Sequence, residues 1–336
     1  MTPKIRTRIP AGLFAGLLTV LLLTSCLHKE RKGIKPMVSG KPGEVLLVID
    51  PYLWESSLGE FFTKLFSTPF EGLPADEPIY DLIHIPTSGF NKIFKGHRNI
   101  FLVKIAGEYR EPKIIIQRDI WAYPQLVVNL VAPSDTSMVR YLRQNQDKLL
   151  ALLKEDERNR IIMNYSKNLA RGIDAKLRDE HGLSISVPAG YEMDVDSSDF
   201  IWLAHETPEI SQGVLIYYYP YTDPNTFTKE YLIKKRDEFT KKYVPGPRKG
   251  SYMITEADYP VIFRELVQDN KYVVELRGLW KLENGFMGGP FVSHTMLDEK
   301  KNRVVTADGF VYAPGHDKRN YVRELEAILQ TFKVVE

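Results

Sequence analysis

The sequence predicts an α+β protein: two packed α/β sandwich domains with mainly antiparallel sheets. Three observations carry that expectation. Runs rich in Val, Ile and Tyr follow one another across short turns through most of the second half, the signature of an antiparallel meander. Helical patterns are few, and two in each half fall at corresponding places, which suits helices packed on sheets better than alternating βαβ units. Three motifs also recur in the same order in both halves. Val45–Tyr52 and Val214–Tyr221 are each a strand, a Pro-Tyr pair and then a helical stretch. Arg118-Asp119-Ile120-Trp121 answers to Arg277-Gly278-Leu279-Trp280, and Ala132-Pro133 answers to Ala313-Pro314 before a final helix. A diverged internal duplication is the expectation these matches raise, since a period this long signals paired domains and not a solenoid.

Residues 1–25 stand apart. Lys4, Arg6 and Arg8 precede an apolar run from Ala11 to Leu23, and no acid appears before it. A positive start, a short apolar stretch and small residues at its end describe an export signal. The run is too short to span a bilayer, which needs about 20 apolar residues. It closes on Leu23-Thr24-Ser25-Cys26, and Cys26 is the only cysteine in the chain. This stretch resembles the bacterial lipobox, and the resemblance implies diacylglycerol on the Cys26 thiol, cleavage before it, and acylation. A lipid on one terminal cysteine holds a protein stably because every buried methylene adds about 0.8 kcal/mol of membrane affinity. Leu27 and His28 follow in place of an aspartate, which favours the outer membrane over inner-membrane retention. No acidic cluster follows Cys26, so a periplasm-facing protein is expected.

Removal of the signal takes three cations and no acid, moving the formal charge from +2 to −1. No field remains to attract nucleic acid. With its thiol lipidated the mature chain has no disulfide and must fold on packing alone, and 43% hydrophobic residues suffice for that. Residues 26–43, with Gly33, Pro36, Gly40 and Pro42, read as a flexible tether. The length that follows suggests two domains, placed at 44–181 and 182–336.

Within 44–181, Val45–Ile49, Ile100–Ile105, Ile114–Gln117 and Leu126–Val131 have strand composition. Leu53–Phe66, Thr136–Glu155 and Asn159–Glu180 have helical spacing, and Gly182 ends the last of these as a C-cap. Within 182–336, strands are expected at Ser184–Val187, Phe200–Ala204, Val214–Tyr219, Val261–Val267, Tyr272–Leu279, Phe291–Leu297 and Arg303–Tyr312. A helix is expected from Phe227 to Tyr243. A last helix, Arg319–Phe332, carries Tyr321, Leu325, Ile328, Leu329 and Phe332 at helical spacing.

Two resemblances follow from particular residues. The opening Ser184-Ile185-Ser186-Val187-Pro188-Ala189-Gly190-Tyr191 and the closing Gly309-Phe310-Val311-Tyr312 with its helix resemble the layout of PsbP-like α/β/α domains. That layout implies a fold and transfers no function. A longer series resembles an envelope lipoprotein family catalogued as domain of unknown function 4837. It comprises Gly40-Lys41-Pro42-Gly43-Glu44-Val45, Arg98-Asn99-Ile100, Lys235-Arg236-Asp237, Val244-Pro245-Gly246-Pro247, Ser251-Tyr252-Met253, Arg277-Gly278-Leu279-Trp280 and Met287-Gly288-Gly289-Pro290-Phe291. The resemblance runs through nearly all of the mature chain. It implies a lipoprotein signal and one family domain, with no assigned activity and no catalytic residues.

The strong chemical motifs are absent from the sequence. There is no phosphate-binding GxxxxGK[ST], no GxGxxG, no HExxH and no GxSxG. Seven histidines lie scattered at 28, 84, 97, 181, 205, 294 and 316, none paired at metal-ligand spacing, so no metal and no cofactor are expected. A dispersed Ser/His/Asp site remains open because such partners are recognised by geometry.

Weaker constellations supply candidate surfaces. Arg277 and Trp280 are three apart, so a regular strand sends them to opposite faces, a core tryptophan and an outward arginine. A bulge would instead join them as a stacking and anion-binding platform. With Arg118 and Trp121 that would make two platforms meeting between the domains. Lys318 and Arg319 open the last helix, where the dipole favours negative charge. They make sense if an anion sits on that helix end, and equally if acids of the fold pair with them. Met287–Phe291 reads as a turn into a strand, and Tyr217–Tyr221 as core aromatics or a sugar-stacking face. The functional expectation is a non-catalytic binding or assembly component of the envelope, partnered by another envelope protein or a glycan. The alternative is a hydrolase or transferase with its site in the interdomain cleft.

Overall fold

The computed structural model describes residues 35–335. The signal at 1–25, Cys26 and the first half of the tether lie outside the described residues. From Met37 onward the chain is one compact unit. The tether ends earlier than expected: Val38 N donates to Tyr123 O and Ser39 N to Gly96 O, so main-chain bonds hold residues 37–43 on the first half.

The first half begins with β1 (Glu44–Val48), α1 (Pro51–Trp54) and α2 (Ser57–Phe66), the last capped by the Ser56 side chain accepting from Leu58 N. Next come β2 (Asp81–Ile85), β3 (Asn99–Ile105), β4 (Lys113–Arg118) and β5 (Leu126–Ala132), and then the long helix α3 (Asp135–Tyr165). The sheet order is β2-β1-β3-β5-β4. Every pairing is parallel except β4 with β5. This is why β1 and β5 are apolar almost throughout: Val45 and Leu47 face the helices, while Leu46 and Val48 face a second, smaller core under Trp121 and Phe90.

Helix α3 runs unbroken through the gap expected at residues 156–158. No helix breaker stands there, and Asp156 and Glu157 turn inward to pair with Arg118 and with Arg98 and Arg160. A short helix α4 (Arg171–Lys176) continues as a wider turn over Leu177–His181. Gly182, at φ 67°, ends it as the C-cap its position predicted.

The second half is an eight-stranded, wholly antiparallel sheet. Its main run is β7 (Glu192–Asp196), β8 (Phe200–Glu206), β9 (Ser211–Pro220), β14 (Arg303–Tyr312), β13 (Gly288–Asp298) and β12 (Lys271–Glu283). Strands β10 (Tyr252–Thr255) and β11 (Ile262–Gln268) both pair with β12. Helix α5 (Lys229–Tyr243) covers one face with a core of Phe239, Trp280, Phe291 and Phe310. Helix α6 (Arg319–Leu329) covers the other, over Val292, Met296 and Val305. A short pair, β6 (Leu183–Ser184) with β15 (Lys333–Val334), ties the end of the chain to the start of this half.

The α+β class, the mainly antiparallel pairing and the α/β/α layering agree with the sequence reading. The internal duplication does not hold. Val45–Val48 is a central strand of a parallel sheet, whereas Val214–Tyr219 belongs to an antiparallel one. Arg118 ends an edge strand while Arg277 lies mid-sheet. The matched motifs are strand-proline-helix punctuation that two different topologies both use.

The halves are joined through the segment between α2 and β2. Phe70 and Leu73, from residues of the first half, lie inside the core of the second. Glycine suits two positions there, where a left-handed backbone passes against arginine side chains. Gly72, at φ 78°, would place a Cβ 2.4 Å from Arg277 Cγ, and Gly43, at φ 81°, would place one 2.8 Å from Arg323 Nη1.

Candidate functional site: a charged cleft between the halves

Four elements meet in a cleft of about 630 Å³. Strand register supplies its floor. Arg264 on β11 lies opposite Glu275 on β12, and Glu275 lies opposite His294 on β13, so three polar side chains form a row across three strands. One pair of residues along β12, Arg277 joins the same face. Helix α6 contributes Arg323 and Glu326 and its C-cap Gln330, whose spacing continues the stripe from Arg319 that faces the first half. Helix α3 brings Leu150, Ala151, Lys154 and Arg158 on a single face, and the α2–β2 segment closes the cleft with Phe70, Glu71 and Tyr80.

Most of these charges are paired across the junction. Arg277 is bonded to Glu326 and lies 3.7 Å from Glu275; Lys154 Nζ is 3.3 Å from Glu326. Arg264 pairs with Glu71 of the first half and lies 3.2 Å from Glu275. His294 Nε2 lies 3.6 Å from Glu275 Oε2. Burial alone would raise both carboxyls. His294 and the charges of Arg277 and Lys154 outweigh it at Glu275, which is held far below the usual carboxylate range. Arg277 and Lys154 likewise bring Glu326 down to about 2. In Arg277 burial is outweighed by Glu326 and Glu275, so its charge is secured.

Other polar atoms in the cleft have no partner. Tyr80 OH, Arg277 Nε, His294 Nδ1 and Arg323 Nη1 are buried without a hydrogen-bond partner among the described residues, as is Arg158 Nε. Tyr80, Arg277, His294 and Arg323 are each more than nine-tenths buried. Arg323 donates to Ile79 O, and its guanidinium sits 4.4 Å from the Tyr80 ring centre and 5.5 Å from that of Phe70. Arg277 approaches Phe70 from 5.3 Å. Buried polar groups nearly always find partners, so these atoms are open to a bound group or to water.

The candidate residues from the sequence separate accordingly. Arg277 lines the cleft, but Trp280 does not: it lies on the opposite face, its Nε1 donating to Val311 O and its ring against Phe310. No bulge interrupts β12 there, so the shared platform is not formed. Arg118 and Trp121 are not in the cleft either. Arg118 pairs with Asp156 at the surface, and Trp121 packs edge-on to Phe90 with Lys95 Nζ 5.7 Å from its ring. At Lys318 and Arg319 the second alternative holds. The Glu77 carboxylate accepts from Lys318 N at 2.7 Å and from Arg319 N at 2.8 Å, while Arg319 reaches Asp81 at 2.7 Å. The anion on this helix end is the protein's own. Cys26 lies outside the described residues.

Two further stretches are structural. Tyr217 and Tyr219 are buried against α5, so strand alternation leaves no continuous tyrosine face for sugars. Gly289 passes so close to β14 that a Cβ would lie 2.0 Å from Val311 O, and Phe291 carries the Arg236 guanidinium 3.8 Å from its ring centre. Arg236 and Asp308 form a fully buried pair at 2.7 Å under α5. Among the described residues one trio, Glu180, His181 and Asp196, brings possible metal-ligating atoms within 4.8 Å of each other. Both His181 nitrogens are engaged there, with Tyr218 OH and Asp196 at 2.9 Å each.

Sequence reasoning missed most of the cleft: His294, Glu275, Arg264, Tyr80, Arg158, Arg323 and Glu326. One signal was available. Arg319, Arg323, Glu326 and Gln330 repeat at helical spacing on the last helix, beside the apolar stripe of Leu325, Ile328 and Leu329.

No curated protein matches the chain. Among solved structures, the chain is similar to the Saccharomyces cerevisiae Ran-binding protein Mog1p, at 10% identity and a TM-score of 0.31, over 46% of this chain and 91% of that one. It is similar also to a point mutant of the protein Mog1 at 9% identity and a TM-score of 0.30, over 46% and 92%. Likeness at that level carries no argument. Two family models match, and they divide the chain. Residues 38–166 match the domain of unknown function DUF8532. The family resemblance read from the sequence therefore extends over less of the chain than expected: residues 170–331 match the family model DUF4837, a domain of unknown function.

Proposed function

We propose that this chain is an outer-membrane lipoprotein, anchored through lipid on Cys26 and facing the periplasm, that binds a ligand or partner in the cleft between its halves without transforming it. The observation that carries the reading is the set of buried, unpartnered donors around Phe70, from Tyr80, Arg277 and Arg323. The N-terminal pattern supports the anchor. Among the described residues no helix is long and apolar enough to cross a membrane.

A catalytic reading is favoured by one contact, His294 against Glu275. The surroundings argue against it. A general acid or base works best with a pKa near the operating pH, and both Glu275 and Glu326 are driven well below that. Among the described residues lining the cleft there is neither serine nor cysteine, and the Thr68 hydroxyl donates to Lys64 O instead of to a base.

The cleft reading is tested with an Ala151→Cys variant, since Ala151 is exposed and lines the cleft. Maleimide labelling of this thiol, located by peptide mass spectrometry, is compared between intact envelopes and purified protein. Slower labelling in envelopes supports an occupied cleft, and equal rates refute it. Incorporation of labelled palmitate that disappears in Cys26→Ala tests the anchor.

A further inference from the structure

Resting on the cleft as the binding site, the geometry points to its occupant as an amphipathic anion: one carboxylate or phosphate group on an apolar body of roughly seven or more heavy atoms. Three observations lead there. The first is charge. Of the five cations that line the cleft, Lys154, Arg264 and Arg277 each have a carboxylate within 4.0 Å. Arg158 and Arg323 have none among the described residues; Arg158 donates to Gln330 Oε1 and Arg323 to Ile79 O, both neutral acceptors. A buried guanidinium is normally matched by an anion; Arg323 is buried and Arg158 half-buried, and neither is matched.

The second is hydrogen bonding. Arg323 Nη1, Arg158 Nε and Tyr80 OH all have a proton to give and no acceptor among the described residues. Glu275 and Glu326 are already engaged by Arg264, Arg277 and Lys154, which leaves Glu155 as the one lining carboxylate without a cation, against unmet donors on Tyr80, Arg158, Arg277 and Arg323 among the described residues. A carboxylate or phosphate accepts from several at once and supplies the negative charge that Arg158 and Arg323 lack, which a cationic ligand cannot do and a neutral polyhydroxyl, accepting through its hydroxyls, does without the charge.

The third is size and polarity. About 630 Å³ falls in the range of sites for whole small molecules and far exceeds what one anionic group fills. The rest of the lining includes Pro69, Phe70, Ile79, Leu150 and Leu266, which suit an acyl or aromatic body.

The test uses the full chain in lipid nanodiscs, with empty nanodiscs as the blank, and isothermal titration calorimetry. Three probes separate the parts of the ligand: 1-naphthyl phosphate, octanoate, and inorganic phosphate as the head alone. At least one amphiphile is expected to bind tenfold or more tightly than inorganic phosphate. Preference for 1-naphthyl phosphate assigns a phosphate head, and preference for octanoate a carboxylate. Arg323→Gln is expected to weaken that binding at least tenfold. Tyr80→Phe removes only a hydroxyl that has no partner, so it leaves the fold intact and is expected to weaken binding two- to fivefold.

The ligand class is overturned if neither amphiphile binds more tightly than inorganic phosphate, or if Tyr80→Phe and Arg323→Gln both bind as the wild type does. If that happens while the Ala151→Cys thiol is protected in envelopes, the ligand class falls and the cleft stays a binding site. If the thiol is also unprotected, the binding reading falls with it.

Discussion

Replacing Glu77 by alanine should loosen the junction between the halves more than any other single exposed-looking acid in that segment. Its carboxylate accepts two backbone bonds at the start of α6, from Lys318 N at 2.7 Å and Arg319 N at 2.8 Å, and Glu77 itself is buried. A hydrogen bond to a charged group contributes about 1.5–3 kcal/mol net. An anion on a helix N-terminus adds about 0.3–1 kcal/mol through the dipole. Lys318 N is only partly buried, so water recovers some of its bond, and Arg319 N is buried, so little replaces its own. The expected loss for Glu77→Ala is therefore about 3 kcal/mol. Glu77→Gln keeps one acceptor oxygen and gives up the charge, so about half of that is expected. With an m-value near 3 kcal/mol/M for a chain of this size, the urea midpoint should fall by about 1 M for alanine and about 0.5 M for glutamine. Equilibrium urea unfolding followed by tryptophan fluorescence reads both. A midpoint shift below about 0.3 M for Glu77→Ala, at unchanged m, would refute the assignment of Glu77 as the anion that caps α6.

Three other outcomes follow from the same structure. Arg236→Met or Asp308→Asn breaks a pair with no exposure on either side and should cost about 3–5 kcal/mol, while the double change Arg236→Met/Asp308→Leu should recover much of the loss; urea unfolding of the three variants checks it. The depressed carboxyls set an acid limit. Glu326 falls from an ordinary 4.5 to about 2, so its contribution is complete above about pH 4.5 and disappears as pH falls toward 2. At about 1.4 kcal/mol per unit, roughly 3 kcal/mol should be lost across that window, and Glu326→Gln should flatten the pH dependence of the urea midpoint; equal slopes in variant and wild type would contradict it. Arg118→Gln takes the cation from Asp156, which is buried although the arginine is half exposed, so it should cost roughly 1–3 kcal/mol while leaving probe binding in the cleft unchanged by calorimetry.

How much of this could be read in advance depends on the range of the interaction. Alternation along a strand is local, and the opposite faces of Arg277 and Trp280 followed from their spacing of three. The C-cap at Gly182 is local too, since the residue takes a left-handed conformation that glycine adopts without strain. The parallel order of the first sheet was not legible. Buried strands are apolar whichever direction their neighbours run, and the loops that set direction carry no equivalent pattern. The apparent duplication misled for the same reason, because strand, proline and helix are punctuation that unrelated topologies share.

By itself the sequence determined the α+β composition, the positions of most strands and helices, the export-like N-terminus, and the residues of the second half that mark its family. These are encoded in periodicity, turn chemistry and short words that neighbouring residues spell together. Only the tertiary structure decided that Arg264, Glu275 and His294 form a row, because register joins residues far apart in the chain. It also decided that Glu77 supplies the anion for a helix start in the other half, and that Phe70 lies between two arginines on separate elements. Charge pairing across such distances leaves no periodic trace, since any acid near any base satisfies it once the backbone has brought them within 4 Å. The cleft therefore became visible only when the two halves were packed together.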